Sequence, residues 1–365
     1  MKVIGVDIGT GNLVSATKNK NKIDILSMRN MFLPISSDII NSSEISNTQL
    51  DYVEFRDDDG DIESVFILGE DAYKFGNIFG QEVKRTMSKG VLSTQEIDAI
   101  DVITLMVEKL TGSMKDGQDG YCVYSIPAES IDDKMPPVLY HERVFNKIFK
   151  TLGYESKSLN EGMAVIFSEC KDTNFSGIGI SFGAGLVNIA CSYKGTPVLT
   201  FSLTRSGDWI DRSVGDSLGI IPNRITSIKE NNLDLMNPSF GNKKERRIRE
   251  ALSYYYSNLI EYVLKNIVNK FNENSDGLHI DDEIPIIISG GTSKPEGFLE
   301  LFQEVFDNIR DFPYTISEIK LAKDQLNSVA IGCLEYAMWD KGIKEELEKP
   351  KKKEEIDLDA KIYQS

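Results

Sequence analysis

Two stretches of the chain share the same order of an apolar strand, a glycine turn and a second apolar strand. The first, VIGVDIGTGNLVSATK, begins at Val3, and the second, SGIGISFGAGLVNIACS, begins at Ser176. β-Branched and apolar residues on both sides of a short glycine turn are typical of a hairpin. Because segments with helical spacing follow each hairpin, the pattern predicts two similar α/β domains with a cleft between them.

The rest of the pattern sets the expected domain boundaries. Domain I covers residues 1–158 and contains a small, more polar subdomain at about 32–90. Domain II covers residues 159–342, with a small subdomain of helical pattern at about 208–275. Residues 343–365 are dense in charges of both signs and include a proline, which predicts a disordered tail.

One acidic turn in the small subdomain could suggest a calcium loop. It contains Asp57, Asp58, Asp59 and Asp61, between the apolar segments YVEF and SVFILG. An EF-hand loop lies between two helices and ends in a bidentate Glu, whereas these flanking segments have the pattern of strands. A solvated hairpin tip is therefore the favoured interpretation.

Two segments of domain I have helical spacing. STQEIDAIDVITLMVEKL predicts an amphipathic helix capped by Ser93 or Thr94. YHERVFNKIFKTLGY predicts a second helix, and we expect His141 to lie on its surface rather than to act in catalysis. With His279 as the only other histidine, a His-based triad or a multi-histidine metal site is nearly excluded.

Composition and charge narrow the class of protein. The 365 residues are 41% hydrophobic and 27% charged, as in soluble globular proteins. A net charge of −16 disfavours nucleic-acid binding through the general surface. The four cysteines are far apart and show no zinc spacing, which favours a reducing compartment. We expect a cytoplasmic protein without membrane association, because neither a signal segment nor a long apolar run is evident.

The turn DIGTGN, from Asp7 to Asn12, has the residues of an anion site. Gly9 and Gly11 allow close approach to the backbone, and successive N–H groups in such a turn can surround an anion. Asp7 could order water around Mg²⁺, an ion that takes few carboxylates. By itself the turn is better explained as an ordinary hairpin, since it lacks the GK[ST] of a P-loop and no helix follows it.

Three further segments strengthen this interpretation. SFGAG, from Ser181 to Gly185, repeats the shape of the first turn, so two hairpins could hold a triphosphate from both sides. SGGTSKPEGF leads a strand into a helix, and its paired glycines leave room for a ring or a ribose. SIKE offers Lys229 and Glu230, although a surface ion pair would explain these two residues alone.

The order and spacing of these segments resemble those of the actin superfamily, and within it the actin-like filament proteins of the MreB and MamK kind. DIGTGN and SFGAG look like the two phosphate loops, and SLNEGMAV looks like the connection between domains. SIKE and SGGTSKPEGF resemble the adenosine elements, and VAIGCLEYA resembles the last helix, which returns to domain I. The resemblance implies an α/β, ribonuclease H-like fold of duplicated domains, with mixed central sheets and a nucleotide cleft between them.

The resemblance also implies a role for individual residues. Asp7 would order the waters of Mg²⁺, and Glu161 would position the water that attacks the γ-phosphate of ATP. The residues implied to bind nucleotide are Gly9, Thr10, Gly11, Asn12, Ser181, Gly183, Ala184, Gly185, Lys229, Glu230, Gly290, Gly291 and Thr292. ATP or ADP with Mg²⁺ would be the ligands, and head-to-tail copies of the chain would form a filament whose turnover follows hydrolysis.

The sequence departs from the family pattern at the phosphate loops. Ser181 stands where the second loop usually has Asp, and Leu186 and Val187 stand where threonines are usual. The basic residue that actin has in its first loop is also replaced, by Leu13 or Val14. With one carboxylate instead of two, we expect weaker magnesium binding or slower ATP hydrolysis, while the backbone of the loop can still bind phosphate.

Other members of the superfamily offer alternative functions. A sugar kinase would have a catalytic Asp motif in the cleft, and none is evident. A chaperone-like ATPase would need a β-rich domain after residue 340, where only a short charged segment follows. A membrane-tethered adaptor would need an amphipathic C-terminal helix, and EEIDLDAKIYQS is too polar and short. An ATP-dependent filament protein is the favoured function, with a non-filament ATPase as the alternative.

Overall fold

The computed structural model describes residues 1–20, 22–35, 50–56, 59–60, 62–115, 117–231, 233–273, 280 and 282–343. The strands are β1 (Lys2–Ile8), β2 (Asn12–Asn19), β3 (Lys22–Arg29), β4 (Phe32–Ile35), β5 (Tyr52–Arg56), β6 (Ile62–Leu68), β7 (Met87–Ser88), β8 (Val91–Leu92), β9 (Gly120–Ile126), β10 (Tyr154–Asn160), β11 (Gly177–Phe182), β12 (Val187–Tyr193), β13 (Thr196–Leu203), β14 (Ile284–Ser289) and β15 (Ile316–Leu321). The helices are α1 (Gly69–Phe79), α2 (Ala99–Thr111), α3 (Val138–Thr151), α4 (Glu161–Glu169), α5 (Gly207–Leu218), α6 (Pro222–Asn231), α7 (Lys243–Glu273), α8 (Phe298–Asp307) and α9 (Ser328–Asp340), with a short 3-10 helix at Gly291–Ser293.

Two five-stranded mixed sheets have the same internal order. The first runs β10-β9-β1-β2-β3 and the second runs β15-β14-β11-β12-β13. In both, the first three strands in sequence are antiparallel neighbours, and the two later strands are added parallel to the first. The duplicated α/β fold predicted from the repeated hairpins is therefore confirmed.

Helices α4 and α9 cross between the two sheets, and small residues allow their close approach. A Cβ atom on Gly332 would overlap the carbonyl oxygen of Ala164 on α4. In the same way, a Cβ on Gly5 of β1 would overlap the backbone of α9, and one on Gly179 of β11 would overlap the backbone of α4. Backbone-to-backbone packing through glycines thus joins the two halves of the molecule.

Each half also carries a smaller part beside its five-stranded sheet. Strands β4, β6 and β5 form an antiparallel sheet beside α1, and helices α5, α6 and α7 form a helical part in the second half. The hairpin that was predicted around the acidic turn is present as β5 and β6. Residues Asp57, Asp58 and Asp61 of its tip, and the tail from residue 344 onward, lie outside the described residues.

Two helix predictions in the first half were wrong in detail. Helix α2 begins at Ala99 with Asp98 as its N-cap, so neither Ser93 nor Thr94 caps it. His141 is buried rather than on the surface, because α3 directs Val138, His141, Phe145 and Ile148 toward the core. Its Nδ1 accepts a hydrogen bond of 3.2 Å from the backbone N–H of Leu92. None of the described helices is long and apolar enough to cross a membrane.

Burial of His141 predicts a specific acid sensitivity. Desolvation lowers its pKa from 6.5 to about 3, so protonation favours the unfolded chain. The folded state is therefore expected to lose roughly 4 kcal/mol between pH 6.5 and pH 3 through this residue alone. His141→Asn keeps an acceptor for Leu92 but cannot titrate, and should show a flatter decline in urea-unfolding free energy over this range. Parallel pH profiles for the two proteins would contradict the assignment.

Candidate functional site

The first glycine turn, between β1 and β2, is held in shape by a buried asparagine. The backbone N–H of Gly9 donates to the carbonyl of Asn12 at 3.0 Å, and a Cβ on Gly9 would lie 2.6 Å from that oxygen. Asn30 donates from its side chain to the Gly9 carbonyl and from its backbone to the Gly11 carbonyl, both at 3.0 Å. These hydrogen bonds occupy the carbonyl groups and fix the conformation of the turn. Its remaining N–H groups are available to a ligand.

The second turn, between β11 and β12, repeats this geometry. The N–H of Gly183 donates to the carbonyl of Leu186 at 2.9 Å, as Gly9 does to Asn12. Thr292 donates its hydroxyl hydrogen to the Gly183 carbonyl at 2.8 Å, and Ser206 does the same to Ala184 at 2.6 Å. The start of α5 and the 3-10 helix therefore stabilise this turn, in the role that Asn30 has at the first.

The two turns face and touch each other. A Cβ on Gly11 would lie 3.2 Å from the Cβ of Ala184 across the gap between the two halves. Thr10 packs directly against Gly185, and its hydroxyl accepts a 3.0 Å hydrogen bond from the N–H of Gly90. Within the described chain, the N–H groups of Thr10, Gly11, Ala184 and Gly185 donate to no protein acceptor. A pair of opposed turns with free N–H groups is a suitable binding site for phosphate groups.

Asp7 lies at the end of β1, beneath the first turn. Its carboxylate accepts a 2.8 Å hydrogen bond from Ser125 at the adjacent position of β9, and Ser125 in turn accepts one from the N–H of Ile8. Burial raises the pKa of Asp7 above its ordinary value, against the opposing effect of the Ser125 hydrogen bond. Ser181 occupies the matching place at the end of β11, since Asp7 pairs with Val14 across its hairpin and Ser181 pairs with Asn188.

Glu161 is the first residue of α4, whose N-cap Asn160 accepts a 3.2 Å hydrogen bond from Met163. Its side chain is buried, with 8% of the residue exposed. Burial is the main cause that raises the pKa of Glu161, and the nearby charge of Asp7 raises it further. The polar side chains of Asn188 and Ser181 nearby act in the opposite direction and lower this pKa. Asp7 and Glu161 thus form a buried acidic pair that favours a shared proton or a cation.

Asn188 belongs to this group although the sequence did not single it out. Its Oδ1 accepts a 2.9 Å hydrogen bond from the N–H of Ala128, which links the two halves. Its Nδ2 is buried and finds no hydrogen-bond partner among the described residues. The position of Asn188 in the hairpin could have indicated it, because Asn188 lies opposite Ser181 and one residue pair separates the two from the turn. A buried amide with free N–H groups beside two carboxylates is available to a ligand or a water.

Lys229 and Glu230 lie on α6, as predicted, but both are engaged in ion pairs. Lys229 lies 2.7 Å from the buried carboxylate of Asp211 on α5. The same oxygen of Asp211 accepts from Thr226, while its other oxygen has no partner in the described part of the chain. Burial raises the pKa of Asp211 despite the opposing charge of Lys229. The Lys229–Asp211 pair therefore forms a polar wall of the cleft rather than a surface ion pair.

Two arginines connect the halves across the mouth of the cleft. Arg29, at the end of β3, lies 2.7 Å from Glu230 in the second half and 2.7 Å from Glu70 in its own half. Arg85 binds both carboxylate oxygens of Asp208 on α5, at 3.0 and 2.8 Å. Neither arginine was identified from the sequence, because each meets its partner only through the tertiary fold.

The predicted residues come together around one cleft with a volume of about 560 Å³. Its lining includes Asp7, Gly9, Thr10, Gly11, Asn12, Glu161, Ser181, Gly183, Ala184, Gly185, Lys229, Glu230, Gly290, Gly291 and Thr292. Arg29, Arg85, Asn188, Asp208 and Asp211 are lining residues that the sequence did not indicate. The size suits a nucleotide-sized ligand.

The acidic side chains of the cleft determine whether a magnesium ion would fit there. No group of three or more His, Cys, Asp or Glu side chains suited to a metal occurs in the described part of the chain. Asp7 and Glu161, however, form a buried acidic pair, and burial raises the pKa of both. A hydrated Mg²⁺ keeps several waters and takes one or two carboxylates. Asp7 and Glu161 therefore fit a hydrated Mg²⁺ better than an ion that is bound by protein ligands alone.

Comparison with known proteins agrees with this architecture. A model of the volactin family matches residues 1–337. The MamK double helical filament is 15% identical, covers 92% of this chain and 98% of its own, and has a TM-score of 0.63. MreB5 of Spiroplasma citri bound to AMPPNP is 14% identical, with 94% and 96% covered and a TM-score of 0.61. The ethanolamine utilization protein EutJ from Carboxydothermus hydrogenoformans is 16% identical, with 92% and 90% covered and a TM-score of 0.53.

A search of curated proteins gave no match. The similarity to the solved structures is below 25% identity and concerns the fold, whereas the family model spans nearly the whole described chain. The chain therefore belongs to the volactin family and has the duplicated α/β fold of the actin-like proteins.

Proposed function

We propose that this protein binds ATP with Mg²⁺ in the cleft, hydrolyses it slowly, and polymerises head to tail into cytoplasmic filaments. One observation carries the proposal: two glycine turns with free N–H groups face each other in the same cleft that the buried pair Asp7 and Glu161 lines. Such an arrangement binds phosphate groups through the backbone and leaves the carboxylates to act on the metal and the water.

The individual roles follow from position. The turns at 9–12 and 183–185 would bind the β- and γ-phosphates, with Asp7 ordering the waters of Mg²⁺. Glu161 would orient the attacking water, since in-line attack on a phosphoryl group depends mainly on positioning and charge stabilisation. The residues assigned to adenosine are Lys229, Glu230, Gly290, Gly291 and Thr292. Bound Mg²⁺ would neutralise phosphate charge.

Similar structures support the proposal without deciding it. The MreB5 structure contains AMPPNP, and a second MreB5 structure contains ADP. MamK was solved as a double helical filament. EutJ, of the same fold, is an ethanolamine utilization protein. The second candidate function for this chain is a non-filament ATPase of the sugar-kinase or chaperone-like kind.

Purified protein tests both parts of the proposal. Phosphate release with ATP and Mg²⁺ above background, together with sedimenting polymers in negative-stain micrographs, would support it. Release without polymers at any protein concentration would favour the non-filament ATPase. The absence of nucleotide binding would overturn the proposal as a whole.

Ser181→Asp tests the acidic pair beneath the turns. A third buried carboxylate beside Asp7 and Glu161 should increase the affinity for Mg²⁺ by roughly tenfold and speed hydrolysis, because the cation relieves more repulsion. Nucleotide binding should persist, since the turns are unchanged. Magnesium titration of phosphate release in both proteins provides the measurement. Equal half-saturation and equal rates would mean that Ser181 has no part in metal binding.

A further inference from the structure

The two glycine turns of the cleft contain no positively charged side chain. Neither DIGTGN nor SFGAG has a basic residue, and Leu13 and Val14 follow the first turn. Asp7 and Glu161 line the same cleft and add two carboxylates beside the turns. A triphosphate carries several negative charges, and sites that bind phosphoryl groups usually supply Arg or Lys in addition to backbone N–H groups and Mg²⁺. A cation from another part of the chain is therefore expected near the turns.

Arg85 is a cation whose backbone is fixed relative to the first turn. It lies just before β7 and lines the cleft, with 28% of its side chain exposed. The next residue, Thr86, donates its hydroxyl hydrogen to the side chain of Asn30 at 2.5 Å. Asn30 is the residue that holds the carbonyl groups of Gly9 and Gly11. The chain on either side of the guanidinium is thus tied to the turn that would bind phosphate.

The side chain of Arg85 lies beside the second turn. Its Nη1 donates to both carboxylate oxygens of Asp208, at 3.0 and 2.8 Å. The backbone N–H of Asp208 donates to the carbonyl of Ala184 at 2.9 Å, and the N–H of Ala184 is one of those that remain free within the described chain. The Nε and Nη2 groups of Arg85 donate to no residue that the structure describes. The guanidinium therefore has unused donors close to the phosphate-binding N–H groups.

The other cations that line the cleft belong to a different part of it. Arg29 and Lys229 are held in ion pairs with carboxylates of α6 and α5. Lys294 directly follows the 3-10 helix at Gly291–Ser293. All three lie among the residues that we assign to adenosine. Among the cleft-lining residues, Arg85 is therefore the cation available to the phosphate groups.

We propose that Arg85 exchanges Asp208 for the γ-phosphate, and so makes the cleft selective for a nucleoside triphosphate over a diphosphate. The inference rests on the proposed nucleotide-binding function and names the residue that recognises the third phosphate. With a diphosphate bound, the guanidinium keeps its ion pair with Asp208. With a triphosphate bound, the γ-phosphate replaces the carboxylate, because the planar fork of Arg matches two oxygens of one phosphate.

Titrations with AMPPNP and with ADP, each in the presence of Mg²⁺, test the assignment without interference from hydrolysis. Arg85→Ala should weaken AMPPNP binding by roughly tenfold to a hundredfold and ADP binding by less than about threefold, since only the triphosphate loses a charge-assisted hydrogen bond. Arg85→Lys keeps the charge without the fork and should lie between the two proteins. Arg212→Ala is the matched control, because Arg212 lies one turn along α5 and donates only to the backbone carbonyl of Asp208, at 3.2 Å. It should bind both nucleotides like the wild-type protein.

Asp208→Asn distinguishes phosphate recognition from a purely structural ion pair. Loss of the carboxylate removes the competitor for the guanidinium, so AMPPNP should bind roughly threefold to tenfold more tightly while ADP binding stays the same. If the ion pair only held the two halves together, Asp208→Asn and Arg85→Ala would both weaken the two nucleotides alike. Opposite effects of the two variants on AMPPNP support the proposal, and equal losses overturn it.

The outcomes separate the role of Arg85 from the function on which it rests. If the wild-type protein binds neither AMPPNP nor ADP, the proposed function itself fails. If it binds both, and Arg85→Ala weakens them equally or not at all, only the role of Arg85 is overturned. Thermal unfolding shows whether each variant is folded. Should Arg85→Ala not fold, Arg85→Lys and Asp208→Asn decide the question by the same comparison of AMPPNP with ADP.

Discussion

Replacing Glu161 by Gln is expected to reduce phosphate release from ATP by about a hundredfold or more, while nucleotide affinity changes little. The amide keeps the size of the side chain and its polar surroundings, but it cannot accept a proton or strongly orient a water. Because the phosphate-binding groups belong to the two turns, binding does not depend on this carboxylate. Single-turnover phosphate release and nucleotide titration measure the two effects separately.

The pH dependence of the reaction provides a second readout. Burial and the charge of Asp7 raise the pKa of Glu161, so the ionised form becomes more abundant as pH rises across the neutral range. Phosphate release by the wild-type protein should therefore increase with pH in that range, and the Gln variant should lose this dependence. Glu169→Gln, at the other end of α4, serves as the control and should behave like wild type. An unchanged rate in Glu161→Gln would remove this residue from the mechanism.

The two hairpins were the part of the fold that local pattern could predict. Glycines at 9 and 183 define turns that close through one backbone hydrogen bond each, and the flanking strands are apolar on both sides. Because that strand–turn–strand unit occurs twice in the sequence, a duplicated architecture could be predicted. The strand order within each sheet follows from later segments, β9 and β14, whose apolar runs are typical of strands buried on both faces.

The polar network around the cleft could not be predicted in the same way. Asn30 is 21 residues from Gly9 in sequence, and Ser125 is 118 residues from Asp7. Arg29 reaches Glu230 across 201 residues. No local pattern encodes such pairs, because the first two depend on how distant strands of one half pack together and the third depends on how the two halves are placed relative to each other.

His141 shows an error of a different kind. A surface position on its helix was expected for it, as the alternative to a role in catalysis. The helical spacing from Val138 through His141 to Phe145 and Ile148 nevertheless places it on the apolar stripe, and the structure buries it there. Helical periodicity was the better guide, and a histidine on such a stripe is best interpreted as a neutral core residue.

Gly332→Val is expected to have the largest effect on stability, a loss of at least ~3 kcal/mol in the free energy of unfolding. Gly332 lies where α9 crosses α4, and even a single Cβ would overlap the carbonyl oxygen of Ala164. The obstacle is backbone rather than a flexible side chain, so relief requires the two helices to separate. Because α4 carries Glu161 and α9 packs against β1, which carries Asp7, separation would also move the acidic pair apart.

Urea unfolding followed by circular dichroism measures the loss, and Gly342→Ala is the matched control. Gly342 has a φ of 66° and no atom within 4 Å of a Cβ placed on it, so its replacement adds backbone strain without a collision. We expect the control to lose roughly 1 kcal/mol, the usual magnitude for a non-glycine residue in the left-handed region. Gly332→Ala should fall between the two, since it adds one methyl group at the same crossing. Equal stability of Gly332→Val and the control would show that the helices can separate at little cost, and that the glycine crossing does not hold the two halves together.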